Sequence, residues 1–193
     1  MIKIYLASGS PRRQDILNKF GISFKLTSHS FDETSLNPKA FNSVAAYVKS
    51  LAKSKALSVQ HIKKDWVLAA DTIVVHNNNI LNKPPSYDAA IAYLSQLSNS
   101  KHSVLSAICM YNPKTKRCFT RCEKATIIFN PLTNKEIQTY VYEKHPLDKA
   151  GGYGLQEIPH HFIKSVSGSK YTVIGLPIHL LKKVIKHIHS NTL

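Results

Sequence analysis

The sequence has no long apolar stretch. No run approaches the roughly 18 consecutive apolar residues that a membrane-spanning helix needs, so we expect no transmembrane segment. The first apolar run, residues 2–7, is soon followed by Pro11-Arg12-Arg13, a pattern that does not match a signal peptide. With 193 residues of which 43% are hydrophobic, the chain is too apolar for disorder. We therefore expect a cytoplasmic protein with a single globular domain over residues 1–193, large enough for two lobes.

Cysteine is scarce. The three cysteines, Cys109, Cys118 and Cys122, match no metal-ligand spacing, and we interpret them as reduced thiols on strands. A Cys118–Cys122 redox pair is a much weaker alternative. Histidine is abundant, with ten copies, and invites a zinc hypothesis. Neither His160-His161 nor the histidines near the C-terminus come with a complete ligand set, so we interpret these side chains as solvated.

Acidic residues are also few. Eleven Asp and Glu face 26 Lys and Arg, which gives a formal net charge of +15. A field of this sign attracts polyanions and steers small anionic ligands. Nucleic-acid binding is the competing interpretation, but the basic residues are dispersed and no basic-aromatic or helix-turn-helix signal accompanies them. We interpret most of the charge as solvated surface and do not expect a nucleic-acid partner.

The most informative segment is residues 148–156. It combines an acid, a base, three glycines and an amide within nine positions. The glycines let the backbone turn and come close to a ligand. Lys149 offers a point charge for phosphate, and Gln156 offers a donor and an acceptor for the edge of a nucleobase. Gly-rich turns are common, so a plain structural loop remains the alternative.

A second segment lies at the start of the chain, in residues 6–13. An apolar strand leads to the turn Ser8-Gly9-Ser10, and Pro11 suits the first position of a helix. Arg12 and Arg13 then fall in the first helical turn, where they oppose the helix dipole. An anion bound at the helix N-terminus would be attracted by both the helix dipole and the arginines, and would offset the repulsion between them. A solvated basic first turn is the alternative.

A third segment, residues 67–75, is an apolar strand with Asp71 in its middle. A buried carboxylate is costly unless it is hydrogen-bonded, paired or bound to a metal. Lys83 follows at the end of a second short strand, immediately before Pro84. These two residues could belong to one functional site. The alternatives are that Asp71 is a structural carboxylate and that Lys83 is an ordinary solvated lysine.

The hydrophobic periodicity predicts an α/β protein. Residues 39–59 repeat apolar side chains at helical spacing, and 102–111 with 117–129 have the pattern of a β-hairpin around Asn112-Pro113. Residues 133–136 form a capping box. The expected strands are 2–7, 22–26, 66–75, 79–82, 102–111, 117–129, 161–166 and 171–174, and the expected helices are 11–20, 39–59, 86–97, 134–143 and 177–189.

In this order, the segments resemble the signature of the Maf family of nucleotide pyrophosphatases. The resemblance covers roughly residues 4–185. One motif alone would be weak evidence for it. Seven motifs occur in the family's order, at residues 6–13, 32–33, 51–56, 70–72, 83–84, 148–156 and 175–177.

The resemblance implies a fold, partners and roles for individual residues. The fold would be a mixed, curved central sheet flanked by helices, with two lobes around a deep cleft, as in inosine triphosphate pyrophosphatase, and often in a homodimer. Asp71 would be the proton acceptor, and Glu33 with Asp71 would hold Mg²⁺ or Mn²⁺. The expected phosphate-binding residues are Ser8, Arg12, Arg13, Lys55 and Lys83, and the expected specificity residues are Arg12, Thr72, Lys149 and Gln156.

The expected reaction is hydrolysis of a nucleoside triphosphate to the monophosphate and pyrophosphate. The Lys-Ala-Gly-x-Tyr-Gly-x-Gln pattern at 149–156 resembles the branch of the family that acts on dTTP and UTP. Gln156 suits a uracil or thymine edge, whereas a carboxylate would suit the cationic 7-methylguanine better. A 7-methyl-GTP or inosine triphosphate pyrophosphatase is the alternative enzyme, and a non-enzymatic cell-division regulator or nucleic-acid-binding protein is the alternative of another class.

Overall fold

The structure is a computed structural model, and it describes residues 2–190. Seven strands form one sheet in the order β2-β1-β3-β5-β6-β7, with β4 paired to β3. The strands are β1 (Ile4–Ala7), β2 (Lys25–Thr27), β3 (Trp66–His76), β4 (Asn79–Leu81), β5 (Lys101–Tyr111), β6 (Cys118–Phe129) and β7 (Ile163–Ser167). The α-helices are α1 (Pro11–Lys19), α2 (Val44–Leu57), α3 (Tyr87–Leu97), α4 (Asn134–Lys144), α5 (Lys170–Ile174) and α6 (Ile178–Ser190).

The sheet is mixed. β1 runs parallel to β2 and β3, whereas β4 is antiparallel to β3 and β7 is antiparallel to β6. Asn77 and Asn78 both have positive φ, at 46° and 65°. That pair of conformations makes the two-residue turn whose twist matches a hairpin, so β4 folds straight back on β3. The predicted mixed α/β fold with a central sheet and flanking helices is confirmed.

The first helix begins and ends as the sequence predicts. Pro11 occupies its first turn, and Ser10 before it is extended. Gly21 follows the helix with φ +65°, where the amide of Ile22 bonds back to the carbonyl of Leu17 at 3.0 Å. A side chain in the left-handed region is disfavoured, so glycine ends the helix here. β1, the loop 8–10 and α1 therefore form the predicted strand-loop-helix unit.

The second helix is shorter than predicted. Ser43 caps it, accepting a hydrogen bond from the amide of Ala46 at 3.1 Å, so the helix begins at Val44 and not near residue 39. The preceding Pro38–Ala40 is a separate turn of 3-10 helix because Asn37 bonds the amide of Lys39 in the same manner. The buried face carries Val48, Leu51 and Ala52, and also one charged residue, Lys55.

One predicted element was wrong. Residues 171–174 were expected to be a strand after a turn at Gly168-Ser169, but Lys170–Ile174 is a short helix, α5. The carbonyl of Ser169 accepts from the amide of Thr172 at 3.0 Å, and its hydroxyl accepts from the amide of Tyr171 at 3.3 Å. Serine placed before this run starts a helical turn, which outweighs the strand preference of its β-branched residues.

The chain divides into two compact units. The first comprises Met1–Asp71, Ser106–Glu123 and Gly175–Leu193, and the second comprises Thr72–Leu105 and Lys124–Ile174. The core of the second unit includes Leu94, Leu97, Ile127 and Phe129, each with no exposed side-chain surface. The first unit buries Leu6, Leu17, Val48 and Leu68 to the same extent.

Candidate active site

The centre of the candidate site is Asp71, which lies in the middle of β3. Its neighbours Leu68, Ala69 and Ala70 are fully buried, and Asp71 itself is only 6% exposed. Burial raises the pKa of this carboxyl group, and the cations Lys55 and Arg13 oppose that rise. A strand buried along most of its length thus carries one carboxylate that needs positive partners to remain ionised.

Lys55 supplies the nearest of these partners. It projects from the buried face of α2, is 5% exposed, and donates a hydrogen bond from Nζ to Oδ1 of Asp71. The same Nζ lies 2.8 Å from Oε1 of Glu33, whose side chain is 45% exposed. One ammonium group therefore links two carboxylates. These are Glu33 and Asp71, the two residues predicted to hold a metal. The phosphate-binding role predicted for Lys55 stays a prediction.

Arg13 and Ser8 form the second part of the cluster. The Nη1 of Arg13 donates to the Oγ of Ser8 at 2.8 Å, and its Nε donates to the carbonyl of Gly175 at 3.0 Å. Ser8 Oγ also accepts from the amide of Ser10 at 3.3 Å, so the hydroxyl proton of Ser8 can still be donated to an anion. Burial lowers the pKa of Arg13, while Asp71 and Glu33 raise it. The guanidinium is thus fixed beside the N-terminus of α1.

Three further predicted residues are Arg12 in the first unit, and Thr72 and Lys83 in the second. Arg12, next to Arg13 in the first turn of α1, is half-buried, and so is Thr72, which follows Asp71 in β3. Lys83 is exposed, two residues after the end of β4. The roles predicted for these three side chains stay predictions.

Lys149 has an environment that its sequence position did not reveal. Its Nζ lies 2.7 Å from Oδ1 of Asp148 and 3.0 Å from Oε2 of Glu157, and the side chain is 8% exposed. A Cβ on Gly154 would stand 2.9 Å from Cε of Lys149, so the lysine stem packs where only glycine leaves room. The structure pairs this cation with two carboxylates and does not present it as an open phosphate ligand.

Gln156 lies on an exposed turn of the same segment. The turn is closed by the carbonyl of Gly154, which accepts from the amides of Glu157 and Ile158 at 3.0 and 2.9 Å. Gly151, earlier in the segment, has φ +71°, and a Cβ there would stand 2.9 Å from Cγ2 of Val74. The segment thus follows a fixed backbone path that leaves the Gln156 amide at the surface.

A buried aromatic network supports this segment, and sequence reasoning missed it. His102 on β5 contacts the hydroxyl of Tyr153 through Nε2 at 2.7 Å, and the hydroxyl of Tyr140 accepts from the amide of Gly154 at 3.1 Å. Burial, and after it the nearby His76, lowers the pKa of His102 to about 4, so this histidine is neutral near pH 7. Nothing in the local pattern around His102 distinguishes it from the exposed histidines.

His29 was also missed. Its Nδ1 is buried without a hydrogen-bond partner among the described residues. Burial, and after it the positive charge of Lys55, lowers its pKa, so the imidazole is held neutral beside the Lys55 cluster. Tyr47, on α2, has its pKa raised by burial and then by Asp71 and Glu33. His29 lies three residues before the 32–33 motif but is not part of it, and no catalytic or ligand spacing pointed to it.

Within residues 2–190, no group of three or more His, Cys, Asp or Glu side chains comes together in a way that could hold a metal ion. Over the same residues, no helix has the length and apolar character required to cross a bilayer. The histidines singled out in the sequence, His160, His161, His187 and His189, are all exposed. A divalent cation here would depend on the carboxylates Glu33 and Asp71.

A buried aspartate balanced by lysine and arginine, beside a helix N-terminus, is an arrangement suited to hydrolysis of a phosphate compound. The family model for "Maf-like protein" matches residues 3–188, and the chain belongs to this family. The predicted family is thereby confirmed.

Curated relatives match along nearly the whole chain. The dTTP/UTP pyrophosphatase of Clostridium perfringens strain SM101 is 37% identical over 188 residues, which is 96% of this chain and 97% of the relative. That of Bacillus cereus strain G9842 is 40% identical over 187 residues, covering 96% and 95%. That of Aquifex aeolicus strain VF5 is 36% identical over 189 residues, covering 97% and 96%.

Among solved structures, the Ham1 protein of Staphylococcus aureus aligns with 96% of this chain and 98% of its own, at 14% identity and a TM-score of 0.47. This likeness is too distant to support an argument about fold or function.

Proposed function

We propose that the protein is a nucleoside triphosphate pyrophosphatase that hydrolyses dTTP and UTP to the monophosphate and pyrophosphate. The observation that carries the proposal is the buried Asp71 held by Lys55, with Arg13 and Ser8 fixed at the N-terminus of α1. The names of the full-length relatives, dTTP/UTP pyrophosphatase, support the same activity.

In the proposed mechanism, Asp71 orients a water molecule and accepts its proton. The water oxygen bonds to the α-phosphorus, the bond from that phosphorus to the bridging oxygen breaks, and the electron pair leaves with pyrophosphate. A carboxyl group whose pKa is raised by burial is a stronger base than an exposed aspartate. Lys55 and Arg13 oppose that rise, so they favour the ionised form that accepts the proton.

The cations have a second task, which is to bind the triphosphate. We assign Arg13 a charge-assisted contact to a phosphate oxygen through Nη2, because its Nε and Nη1 are anchored on Gly175 and Ser8. Ser8 would donate its hydroxyl proton to a phosphate oxygen. Arg12, Lys55 and Lys83 would add positive charge along the phosphate chain.

Mg²⁺ or Mn²⁺ is the proposed cofactor. Glu33 and Asp71 are oxygen donors joined through one lysine, and Mg²⁺ commonly takes one or two protein carboxylates and completes its shell with water and substrate phosphate. The donor set therefore fits such a cation. When bound, it would neutralise charge on the departing pyrophosphate.

Substrate choice is assigned to Gln156, with Thr72 and Arg12 contributing. The phosphate-binding residues touch groups common to every nucleotide, whereas an amide can pair with both N3–H and a carbonyl of uracil or thymine. Lys149, which is already paired with Asp148 and Glu157, would act by holding the 149–157 segment in shape. Its effect on specificity would then be indirect.

The test is pyrophosphate release across a panel of dTTP, UTP, CTP, GTP, inosine triphosphate and 7-methyl-GTP, with Mg²⁺ or Mn²⁺. We expect the highest kcat/KM with dTTP and UTP. The matched control is Asp71→Asn, which keeps the volume but not the charge, and should reduce turnover by about a thousandfold or more while leaving the circular dichroism spectrum unchanged. Turnover by Asp71→Asn near the wild-type rate would remove Asp71 from the mechanism.

The same panel separates the other candidates. A preference for 7-methyl-GTP or inosine triphosphate would assign the chain to another branch of nucleotide pyrophosphatases. Absence of pyrophosphate release from every nucleotide, with either metal, would favour a non-enzymatic cell-division regulator or a nucleic-acid-binding protein. Cytoplasmic location, a house-cleaning role on modified pyrimidine nucleotides and a homodimer complete the proposal, and light scattering after size exclusion tests the dimer.

A further inference from the structure

The first unit contains two cysteine side chains in contact. Cys109 is on β5 and Cys118 on β6, and their Sγ atoms lie 3.5 Å apart. All three cysteines are free thiols. A disulfide requires a Sγ–Sγ distance of about 2.05 Å, so closing the bond needs a movement on the order of 1.5 Å. The redox pair considered from the sequence was Cys118 with Cys122, but the structure places Cys118 against Cys109.

The hairpin end holds the two strands together near these cysteines. The amide of Asn112 bonds the carbonyl of Arg117 at 2.9 Å, and the Nδ2 of Asn112 bonds the carbonyl of Lys64 at 3.0 Å. The Oδ1 of the same asparagine accepts from the amide of Thr115 at 3.0 Å. Because Asn112 is buried and bonded on both sides of its amide, the strands are fixed in position, and the thiols remain neighbours.

The two thiols differ in their reactivity. Cys109 is fully buried, whereas Cys118 is half-buried and can be reached from solvent. The hydrogen bond from Cys109, helped by Thr120 and Lys53 and opposed by burial, lowers the pKa of Cys118 to about 6. The same hydrogen bond, together with burial, raises the pKa of Cys109. Cys118 is thus the thiolate near neutral pH, and Cys109 is the thiol next to it.

We propose that Cys109 and Cys118 are a site of reversible oxidation, in which a hydroperoxide converts the two thiols to a disulfide across the β5–β6 hairpin. The Cys118 thiolate attacks one peroxide oxygen, the O–O bond breaks, and a sulfenic acid forms. The departing oxygen takes a proton from solvent, which replaces the one that Cys118 released on ionising, and leaves as water or an alcohol. The Cys109 sulfur then attacks the Cys118 sulfur, its thiol proton goes to the departing hydroxyl, and a second water leaves. In total, two thiols and one hydrogen peroxide give one disulfide and two waters.

Cys122 provides a matched control on the same strand. It is half-buried like Cys118, but burial raises its pKa, and its sulfur has only a long contact of 3.9 Å to the carbonyl of Glu123. It therefore combines similar access with no neighbouring thiol among its recorded contacts. The proposal predicts that Cys122 stays reduced under conditions that oxidise the pair.

The experiment treats the reduced full-length protein with a small excess of hydrogen peroxide at neutral pH, then counts thiols after denaturation. Wild type should fall from three free thiols to one and lose about 2 Da, and dithiothreitol should reverse both changes. Cys122→Ser should fall from two free thiols to none. Cys109→Ala and Cys118→Ala should not form an intramolecular disulfide.

Peptide mapping of oxidised wild type identifies the linked residues without any variant, so a poorly folding variant does not decide the outcome. A Cys109–Cys118 cross-linked peptide supports the proposal. A cross-link that involves Cys122 overturns it. So does a wild type that keeps all three thiols, or one in which Cys118 becomes sulfinic acid and no Cys109–Cys118 cross-link forms. The readouts are thiol number and mass, so they do not depend on whether the chain hydrolyses nucleotides.

A second readout follows the proposed division of roles. In the Cys122→Ser background, alkylation of Cys118 by iodoacetamide should rise with a pH midpoint near 6. The additional change Cys109→Ala removes the hydrogen-bond donor, so the midpoint should move up toward that of an ordinary cysteine. An unchanged midpoint would show that Cys109 does not activate Cys118.

Discussion

At the residue scale, Lys55 has the most consequential position. It is a buried lysine on a helix face that otherwise packs apolar side chains, and its ammonium contacts both Asp71 and Glu33. A buried ion pair is not in itself a source of stability, because desolvation of both charges offsets their attraction. Its effect on chemistry is clearer, since Lys55 holds down the pKa of the carboxyl group that we assign as the base.

This arrangement predicts a pH effect. Asp71 accepts a proton only when ionised, so activity falls as the pH drops through its pKa, which burial raises above the usual aspartate value. Lys55→Met removes a positive charge and a hydrogen bond that lower this pKa. The acid limb of kcat/KM for dTTP should therefore move to higher pH.

The control is Lys55→Arg, which keeps the charge and should move the acid limb less. The measurement compares midpoints of the pH profile and not plateau rates, because Lys55 also has a proposed phosphate contact that would lower the plateau in both variants. Identical midpoints in wild type and both variants would mean that Asp71 does not titrate in the profile.

At the scale of elements, two segments carry the residues to which we assign phosphate binding and base recognition. The β1-loop-α1 unit positions Ser8 and Arg13 near Asp71 of β3, and these contacts lie inside the first unit. The 148–158 segment belongs to the second unit and carries Gln156 on an exposed turn. Tyr140 and the His102–Tyr153 pair anchor its backbone from below. An anchored backbone with an exposed amide is suited to reading a ligand.

Gln156→Glu tests this assignment. The carboxylate loses the amide donor that pairs with a pyrimidine carbonyl, so kcat/KM for dTTP and UTP should fall by about tenfold or more. Activity on 7-methyl-GTP should fall less, because the new charge suits a cationic base. The measurement is kcat/KM for dTTP, UTP, CTP, GTP and 7-methyl-GTP on both proteins. A uniform decrease over all five would indicate that Gln156 supports the turn and does not read the base.

His102 predicts a dependence of stability on pH. Its folded pKa of about 4 lies below the ordinary histidine value near 6.5, so between these values the unfolded chain binds a proton that the folded chain does not. The contribution is fully present above about pH 6.5 and is lost as the pH falls toward about 4. Over the whole window the loss is on the order of 3 kcal/mol.

Urea unfolding at about pH 7.5 and about pH 5 measures this effect. Wild type should lose on the order of 2 kcal/mol more between the two conditions than His102→Gln, which keeps a group able to bond Tyr153. The exposed His160→Gln is the control and should behave as wild type does. Equal pH dependence in all three proteins would mean that His102 is protonated alike in the folded and unfolded chains.

At the scale of the whole molecule, the dominant property is the net charge of +15. A nucleoside triphosphate carries about four negative charges, so the field of the protein favours its approach over that of neutral molecules. Three strands, β3, β5 and β6, run from one compact unit into the other along the chain. A single domain over residues 1–193 stays a prediction.

The charge predicts a salt dependence. Raising sodium chloride from about 50 mM to about 500 mM shortens the Debye length from about 14 Å to about 4 Å, and it should raise the KM for dTTP several-fold. The kcat should change less, because the groups around Asp71 are buried and screened little. Lys183→Glu with Lys186→Glu on exposed positions of α6 should flatten the salt dependence. A KM that is constant with salt would show that long-range charge does not assist binding.

The sequence by itself determined the family and most of the elements, because its signals are local. Pro11 and Gly21 mark the ends of α1, and the capping box at Thr133 and Glu136 marks the start of α4. Motif order along the chain was enough to predict the Maf family, which the match over 3–188 confirmed. The α2 start and α5 were misjudged because single serines at Ser43 and Ser169 outweighed the apolar pattern around them.

The tertiary structure decided which charges meet. Lys55 pairs with both Asp71 and Glu33, Lys149 pairs with Glu157, and Cys109 contacts Cys118. No local sequence pattern connects the members of these pairs. Burial likewise made His102 a neutral core residue while leaving other histidines exposed. Both the pairing and the burial of these side chains depend on long-range packing of the sheet against its helices. This packing sets the pKa and the reactivity of a side chain, and neither can be obtained from composition or motif spacing.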